Sequence, residues 1–260
     1  MALGDSDNSL LIGSQHIRLN RVNSTNKYAL EMSSKSKPIE GTVISASYQY
    51  DGRGQIGRFW DSEEGKNITC STILHPTFLR AHDQFQLNMA VSLAIIDFVE
   101  HFLDAEKDIV KIKWPNDIYV NDAKIAGILI QNAVKGKYIN SSVIGTGINI
   151  NQIEFAEKIP NPTSLASITG EEVDIETAFP WLFRFMTKRY LQLSKGMIDS
   201  IRSEYLDHLY RNGIWSNFSD DSGQNFEGKI KTIDQHGQLV IELKDGKDQS
   251  FAFREIKFII

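Results

Sequence analysis

The apolar residues of this chain recur with two different spacings, and the changes between them mark out its elements. A period of two, the signature of a strand with one buried face, begins at Ile17-Arg18-Leu19. It returns in residues 42–49 (TVISASYQ), 67–74 (NITCSTIL), 109–113 (IVKIK), 118–120 and 138–150 (YINSSVIGTGINI). Between these lies a stripe spaced by three and four, Leu87, Val91, Ala94, Ile95, Phe98 and Phe102, which predicts a helix over 84–103 with one face in a core. Two more helices are predicted over 175–193 and 197–210, separated by Lys195-Gly196; Phe179, Leu182, Phe183, Met186 and Tyr190 share a face of the first. A shorter helix, 27–33, follows Ser24-Thr25-Asn26, and Asn161-Pro162-Thr163-Ser164 marks a turn and another helix start.

The strand over 109–113 stops at Trp114-Pro115, because proline has no N–H to give a ladder. Asn116-Asp117 forms the corner, Asn121-Asp122 turns the next strand, and Lys124 opens a third (KIAGILIQ). Asn212-Gly213 is a turn signal and the predicted boundary between residues 1–211 and 212–260. Beyond it short period-two runs (224–233, 238–243, 249–253) are joined by His236-Gly237 and Asp245-Gly246, which predicts a small barrel.

Composition narrows the function classes. At 260 residues, 41% of them hydrophobic, the chain can bury a sizeable core. A net charge of −5 argues against whole-protein affinity for nucleic acid. The single cysteine, Cys70, lies in an apolar strand and reads as a small buried side chain, and the six histidines show no metal-ligand spacing. The N-terminus lacks the basic start and apolar core of a secretory signal, and no apolar run approaches membrane-spanning length. A soluble, cytoplasmic protein is expected, with no membrane partner.

Three stretches carry chemistry. In DGRGQIGRFW, residues 51–60, Gly52, Gly54 and Gly57 interleave with Arg53 and Arg58. Such glycines free backbone N–H groups to form an anion nest, and arginine adds forked donors; the alternative is a flexible hairpin. The loop has neither the Walker A spacing nor the βαβ frame of a dinucleotide site. The hairpin after Pro115 leaves Asp117 and Lys124 at strand ends, either facing one cleft, with Gly127 letting a ligand approach the backbone, or as an ordinary two-turn hairpin with a surface lysine. Period-two spacing puts Gly145, Gly147 and Asn149 on one side of a strand, either as a floor for a flat ligand or as a sheet bend. Ser24, Thr25 and Asn26 read equally as helix caps and as polar groups facing a ligand.

Taken in order, GRGQIGRFW, KWPND with its downstream KIAG, and GTGINI resemble the biotin protein ligase family. They are preceded by STN and followed by the small barrel, so the resemblance covers most of the chain. It implies an α+β fold: a mixed β-sheet with packed helices, then a C-terminal SH3-like barrel. It implies the monofunctional form, since STN at Ser24 leaves no room for the N-terminal DNA-binding segment of some members. It implies that biotin and ATP are joined as biotinyl-5′-AMP, with Mg²⁺ accompanying ATP, before biotin passes to a lysine of a biotin carboxyl carrier protein.

By the same resemblance Ser24, Thr25, Asn26, Gln49, Gly52, Arg53, Gly54, Gln55, Lys124 and Gly127 bind biotin. Arg53, Arg58, Trp60, Asn116, Asp117, Lys124 and Asn149 bind ATP. Lys124, Arg53 and Asp117 carry the chemistry, and metal ligands are left unassigned. Many members have arginine where this chain has Gln55, which bears on retention of the intermediate, with Arg58 the candidate to compensate. A lipoate or octanoate ligase and a non-catalytic biotin-binding relative are the competing readings. Exposed sheet edges leave both monomer and homodimer open.

Overall fold

Alternation in the sequence becomes two sheets in the computed structural model, which describes residues 11–55, 59–157 and 159–259. The chain enters through β1 (His16–Val22), α1 (Thr25–Lys35), β2 (Thr42–Gln49), β3 (Asn67–Leu74) and α2 (Gln84–Glu100). A meander follows: β4 (Val110–Lys113), β5 (Asp117–Val120), β6 (Ala123–Lys135) and β7 (Tyr138–Asn149). Three helices come next, α3 (Leu165–Thr169), α4 (Ile175–Ser194) and α5 (Ile198–Asp207). The chain ends in β8 (Trp215–Asp220), β9 (Asn225–Ile233), β10 (Leu239–Leu243), β11 (Asp248–Phe251) and β12 (Ile256–Phe258).

The first seven strands form one sheet in the order β1-β2-β3-β7-β6-β5-β4, and the last five form a second in the order β11-β10-β9-β8-β12. Only β1 and β2 run parallel; every other pair is antiparallel, so the larger sheet is mixed as expected. The small sheet is antiparallel throughout, in keeping with an SH3-like barrel. None of the described helices is long and apolar enough to cross a membrane.

The faces of the large sheet are covered differently. On one, α2 packs with α4 and α5 over Ile68, Cys70, Ile128 and Ile144. Cys70 is buried there, and burial pushes its thiol up to about 12, as an inert core side chain requires. Arg189 of α4, 5% exposed, clamps this layer by donating to both carboxylate oxygens of Asp97 in α2 and to Glu204 in α5. On the opposite face α1 covers only Ile44, Ile73 and Val143, a smaller cluster that leaves the rest of the face to the site.

The sequence expectations differ from the structure at element ends. The helix expected over 197–210 closes at Asp207, because the next residues leave it to pair with β4: Ile112 N–H donates to the His208 carbonyl, and Tyr210 N–H to that of Ile112. That caps the open edge of the sheet. Asp117 opens β5 rather than forming the corner, and Trp114-Pro115 is a cis peptide in the turn before it. In the small sheet β8 and β12 lack a clean apolar alternation and were not individually legible.

Candidate active site

The site grows from strand register. Residues directly paired across a sheet share a face. Gly127 pairs with Gly147, Leu129 with Gly145, Thr69 with Gly147 and Ser71 with Gly145. Three bare positions therefore meet on the face that α1 leaves uncovered. They are close-approach positions. A Cβ on Gly147 would stand 2.3 Å from the Trp60 ring and one on Gly145 2.6 Å from Asn26 Oδ1, so that either side chain would have to move, and one on Gly127 only 3.1 Å from Trp60. The strand runs on regularly through Gly145 and Gly147, which favours the floor over the sheet bend.

At the α1 end of this floor the STN residues are turned inward. Ser24 sits at the N-cap position but makes no side-chain cap, so the capping role fails there. Thr25 donates from both N–H and Oγ1 to Gln49 Oε1, at 2.8 and 3.1 Å. Ser71 Oγ lies 2.8 Å from Thr25 Oγ1 and 2.7 Å from Asn26 Oδ1, and Asn26 Nδ2 donates to Gln131 Oε1 at 3.1 Å. Ser24, Thr25 and Asn26 are all nearly fully buried. The outcome is a connected cluster of hydroxyl and amide groups without a formal charge. Ser71 and Gln131 were missed by sequence reasoning. The available signal was a serine at a buried period-two position of an apolar strand, two residues from Thr69.

At the other end stands Lys124. Its Nζ lies 2.7 Å from Asp117 Oδ1, with the two side chains 23% and 19% exposed. Asp117 pairs with Gly127 across β5 and β6, so the charged pair sits at the rim of the glycine floor. Residues 161–163 run alongside: Lys124 N–H donates to the Asn161 carbonyl, and Thr163 N–H to that of Lys124. Asn149 Nδ2 donates to the Thr163 carbonyl at 2.9 Å, which fixes that segment beside the lysine.

Trp60, at the end of the glycine loop, covers the same floor. Arg53 bridges to Phe59, Trp60 N–H donates to the Gly52 carbonyl, and Asp51 N–H to that of Asn23 just before Ser24. Gly52 itself lies 2.2 Å, at its absent Cβ, from the Trp60 carbonyl. Trp60 ends up over Gly127 and Gly147 with Lys124 Nζ 5.8 Å from its ring, and its buried Nε1 has no partner among the described residues. Trp60, at the end of the loop, and Lys124 thus border the same glycine floor.

Other expected site residues have partners of their own. The Arg53 side chain is 54% exposed and pairs with Asp51 at 3.6 Å. Asn116 is buried, and its amide donates to the Ile128 carbonyl, which ties down the turn. Gln55 faces a cleft toward the small sheet, with Gly54 between it and Arg53. Gly57 and Arg58 lie outside the described residues.

Comparison with known proteins gives this geometry a context. A model of the biotin/lipoate A/B protein ligase family matches residues 19–149. The bifunctional ligase/repressor BirA of Bacillus subtilis is 32% identical over 89% of this chain and 71% of its own length. The biotin–acetyl-CoA-carboxylase ligase of Paracoccus denitrificans is 29% identical over 88% of this chain and 95% of its own. Among solved structures, the Aquifex aeolicus biotin protein ligase in complex with biotin and ATP superposes with a TM-score of 0.77 at 23% identity, covering 94% of this chain and 98% of that one. That likeness speaks to the fold.

Proposed function

The chain belongs to the biotin/lipoate A/B protein ligase family, and on that premise we propose that it is an ATP-dependent biotin protein ligase. It activates biotin as biotinyl-5′-AMP and passes the acyl group to a lysine of a biotin carboxyl carrier domain. The observation that carries this reading is a bare glycine floor with uncharged hydrogen-bonding groups at one end and a lysine ammonium at the other.

Each end suits one end of biotin. A ureido ring offers two N–H donors and a carbonyl, which Thr25, Asn26, Gln49 and Ser71 are able to match. A dithiolane has nothing to pair with them, so the cluster keeps only its internal partners and gains no hydrogen bond from the ligand. That favours biotin over lipoate. The valeryl carboxylate then lies toward Lys124, where attack of its oxygen on the α-phosphorus of ATP forms the mixed anhydride and expels pyrophosphate. Two anions meet in this step, so a fixed cation at the rim stabilises the developing charge. Asp117 holds that cation in place while the site is empty. In transfer it orients the incoming amine or accepts its proton, the amine attacks the acyl carbon, and AMP leaves. Trp60 and the glycine loop exclude water from the anhydride.

Magnesium enters as the companion of the triphosphate. Among the described residues no three metal-ligating side chains cluster, and Asp117 is already paired with Lys124. The described residues do not build a metal site of their own. The test is incubation with biotin, ATP, magnesium and a carboxyl carrier domain. A mass increase of one biotinyl group on the acceptor is expected; labelling with lipoate and not biotin assigns the alternative, and biotin binding with neither adenylate formation nor transfer assigns the non-catalytic relative.

A further inference from the structure

Between the two sheets lies a cleft of about 300 Å³ that the glycine floor and Lys124 do not use. Its walls include Gln55 of the glycine loop, Phe85 at the start of α2, Trp114 and Pro115 in the turn before β5, and Gln238 and Phe253 of the small barrel. The two halves are fastened together beside it. Trp114 Nε1 donates to the Gly237 carbonyl at 2.9 Å. Gly237 has φ +86°, and a Cβ there would lie 2.3 Å from Phe85. A ligand therefore meets walls already in place, which lowers the cost of ordering them.

Position relates the cleft to the chemistry. Gln55 follows Arg53 by two positions and Pro115 precedes Asp117 by two. At about 3.8 Å between successive Cα atoms, the cleft starts within roughly 8 Å of the backbone at both. Its chemistry narrows the occupant. Among the described lining residues there is no lysine, arginine, aspartate or glutamate, and His236 is the one titratable group. Such a lining offers a triphosphate no compensating charge. Aromatic and proline surfaces suit an apolar side chain, while the Gln55 and Gln238 amides suit the N–H and C=O that an extended peptide presents at every residue.

We propose that this cleft is the acceptor subsite. An apolar side chain next to the target lysine seats between Phe85, Trp114 and Phe253, and the adjoining backbone meets Gln238 and Gln55. The lysine is thereby aimed past Asp117 at the acyl carbon, and the barrel supplies one wall of the acceptor site. This rests on the ligase reading above.

The experiment measures two activities in the full chain carrying Phe253→Ala. Phe253 is 44% exposed, so truncating it spares the barrel core. Biotin-dependent ATP–pyrophosphate exchange, which needs no acceptor, is expected within twofold of the parent. KM for a carboxyl carrier domain is expected to rise roughly tenfold, as for loss of one apolar pocket contact. Carrier variants with alanine at each apolar position flanking the target lysine complete a double-mutant cycle, in which one position loses its effect in the Phe253→Ala background. An unchanged KM, or strict additivity at every position, overturns the proposal; a parallel fall in exchange assigns the cleft to the nucleotide and also overturns it. Gln238→Ala carries the same prediction should Phe253→Ala lose its fold. A parent inactive in both assays sinks the ligase reading instead.

Discussion

Replacing Lys124 with alanine removes the one cation that the structure holds at the rim of the glycine floor among the described site residues. Its effect on rate follows from Coulomb's law. A unit charge about 4 Å from developing negative charge is worth about 4 kcal/mol at an effective dielectric near 20, and each 1.36 kcal/mol is tenfold in rate, so adenylate formation should fall by about 10³. The effect on stability is smaller. Lys124 and Asp117 are 23% and 19% exposed, between a surface pair and a fully buried one. Stranding the carboxylate therefore costs roughly 1–2 kcal/mol, between the small value of exposed pairs and the 3–5 kcal/mol of buried ones. A strand-end lysine thus does more for the fold than the sequence alone suggests. Biotin-dependent pyrophosphate exchange at saturating substrates measures the first effect and urea denaturation the second. Lys124→Ala with Asp117→Asn separates them: stability should largely return while exchange stays low. Exchange within tenfold of the parent in Lys124→Ala would refute the reasoning, because the charge would then be supplied from elsewhere.

Gly145→Ala puts a methyl 2.6 Å from Asn26 Oδ1, so the polar cluster must open; a rise of tenfold or more in the biotin Kd by calorimetry is expected, with nucleotide binding little changed. His16, whose Nε2 meets Ser45 Oγ at 2.7 Å beside the Phe179 and Phe183 rings, has its pKa lowered to about 4 from 6.5, chiefly by burial and secondarily by Arg18. The unfolded chain then binds the proton more readily, so the stabilisation is complete above pH 6.5 and fades as pH falls toward 4. Denaturation midpoints over that window should flatten in His16→Gln, and parallel slopes would count against the assignment. Arg189→Ala leaves the half-buried Asp97 carboxylate with only Lys188 as ion-pair partner, at roughly 2–3 kcal/mol, below the full cost of a stranded buried charge; the thermal midpoint should drop while exchange at low temperature stays near the parent's.

Much of the architecture was legible because period and punctuation are local properties. Thr42–Gln49 and Asn67–Leu74 have the bounds their alternation predicts, and α2 starts at Gln84 as its stripe predicts. The same local logic aligned Gly145 and Gly147 on one face and set Asp117 near Lys124. Three things depended on tertiary structure. Register alone set Gly127 opposite Gly147 and brought Ser71 beneath Asn26, because cross-strand pairing joins residues whose sequence separation says nothing about distance. The inward turn of Thr25 and Asn26, rather than a cap, followed from acceptors on β2 and β6 and a donor on β3 that no local window contains. The contacts of Asn116 with Ile128, of Arg53 with Asp51 and of Gln55 with the interdomain cleft were likewise decided by what lay within reach after folding. Residue type and spacing determined which groups this chain has available for chemistry. Only the packed structure decided which of them remain available, since a buried donor takes the partner that lies nearest to it.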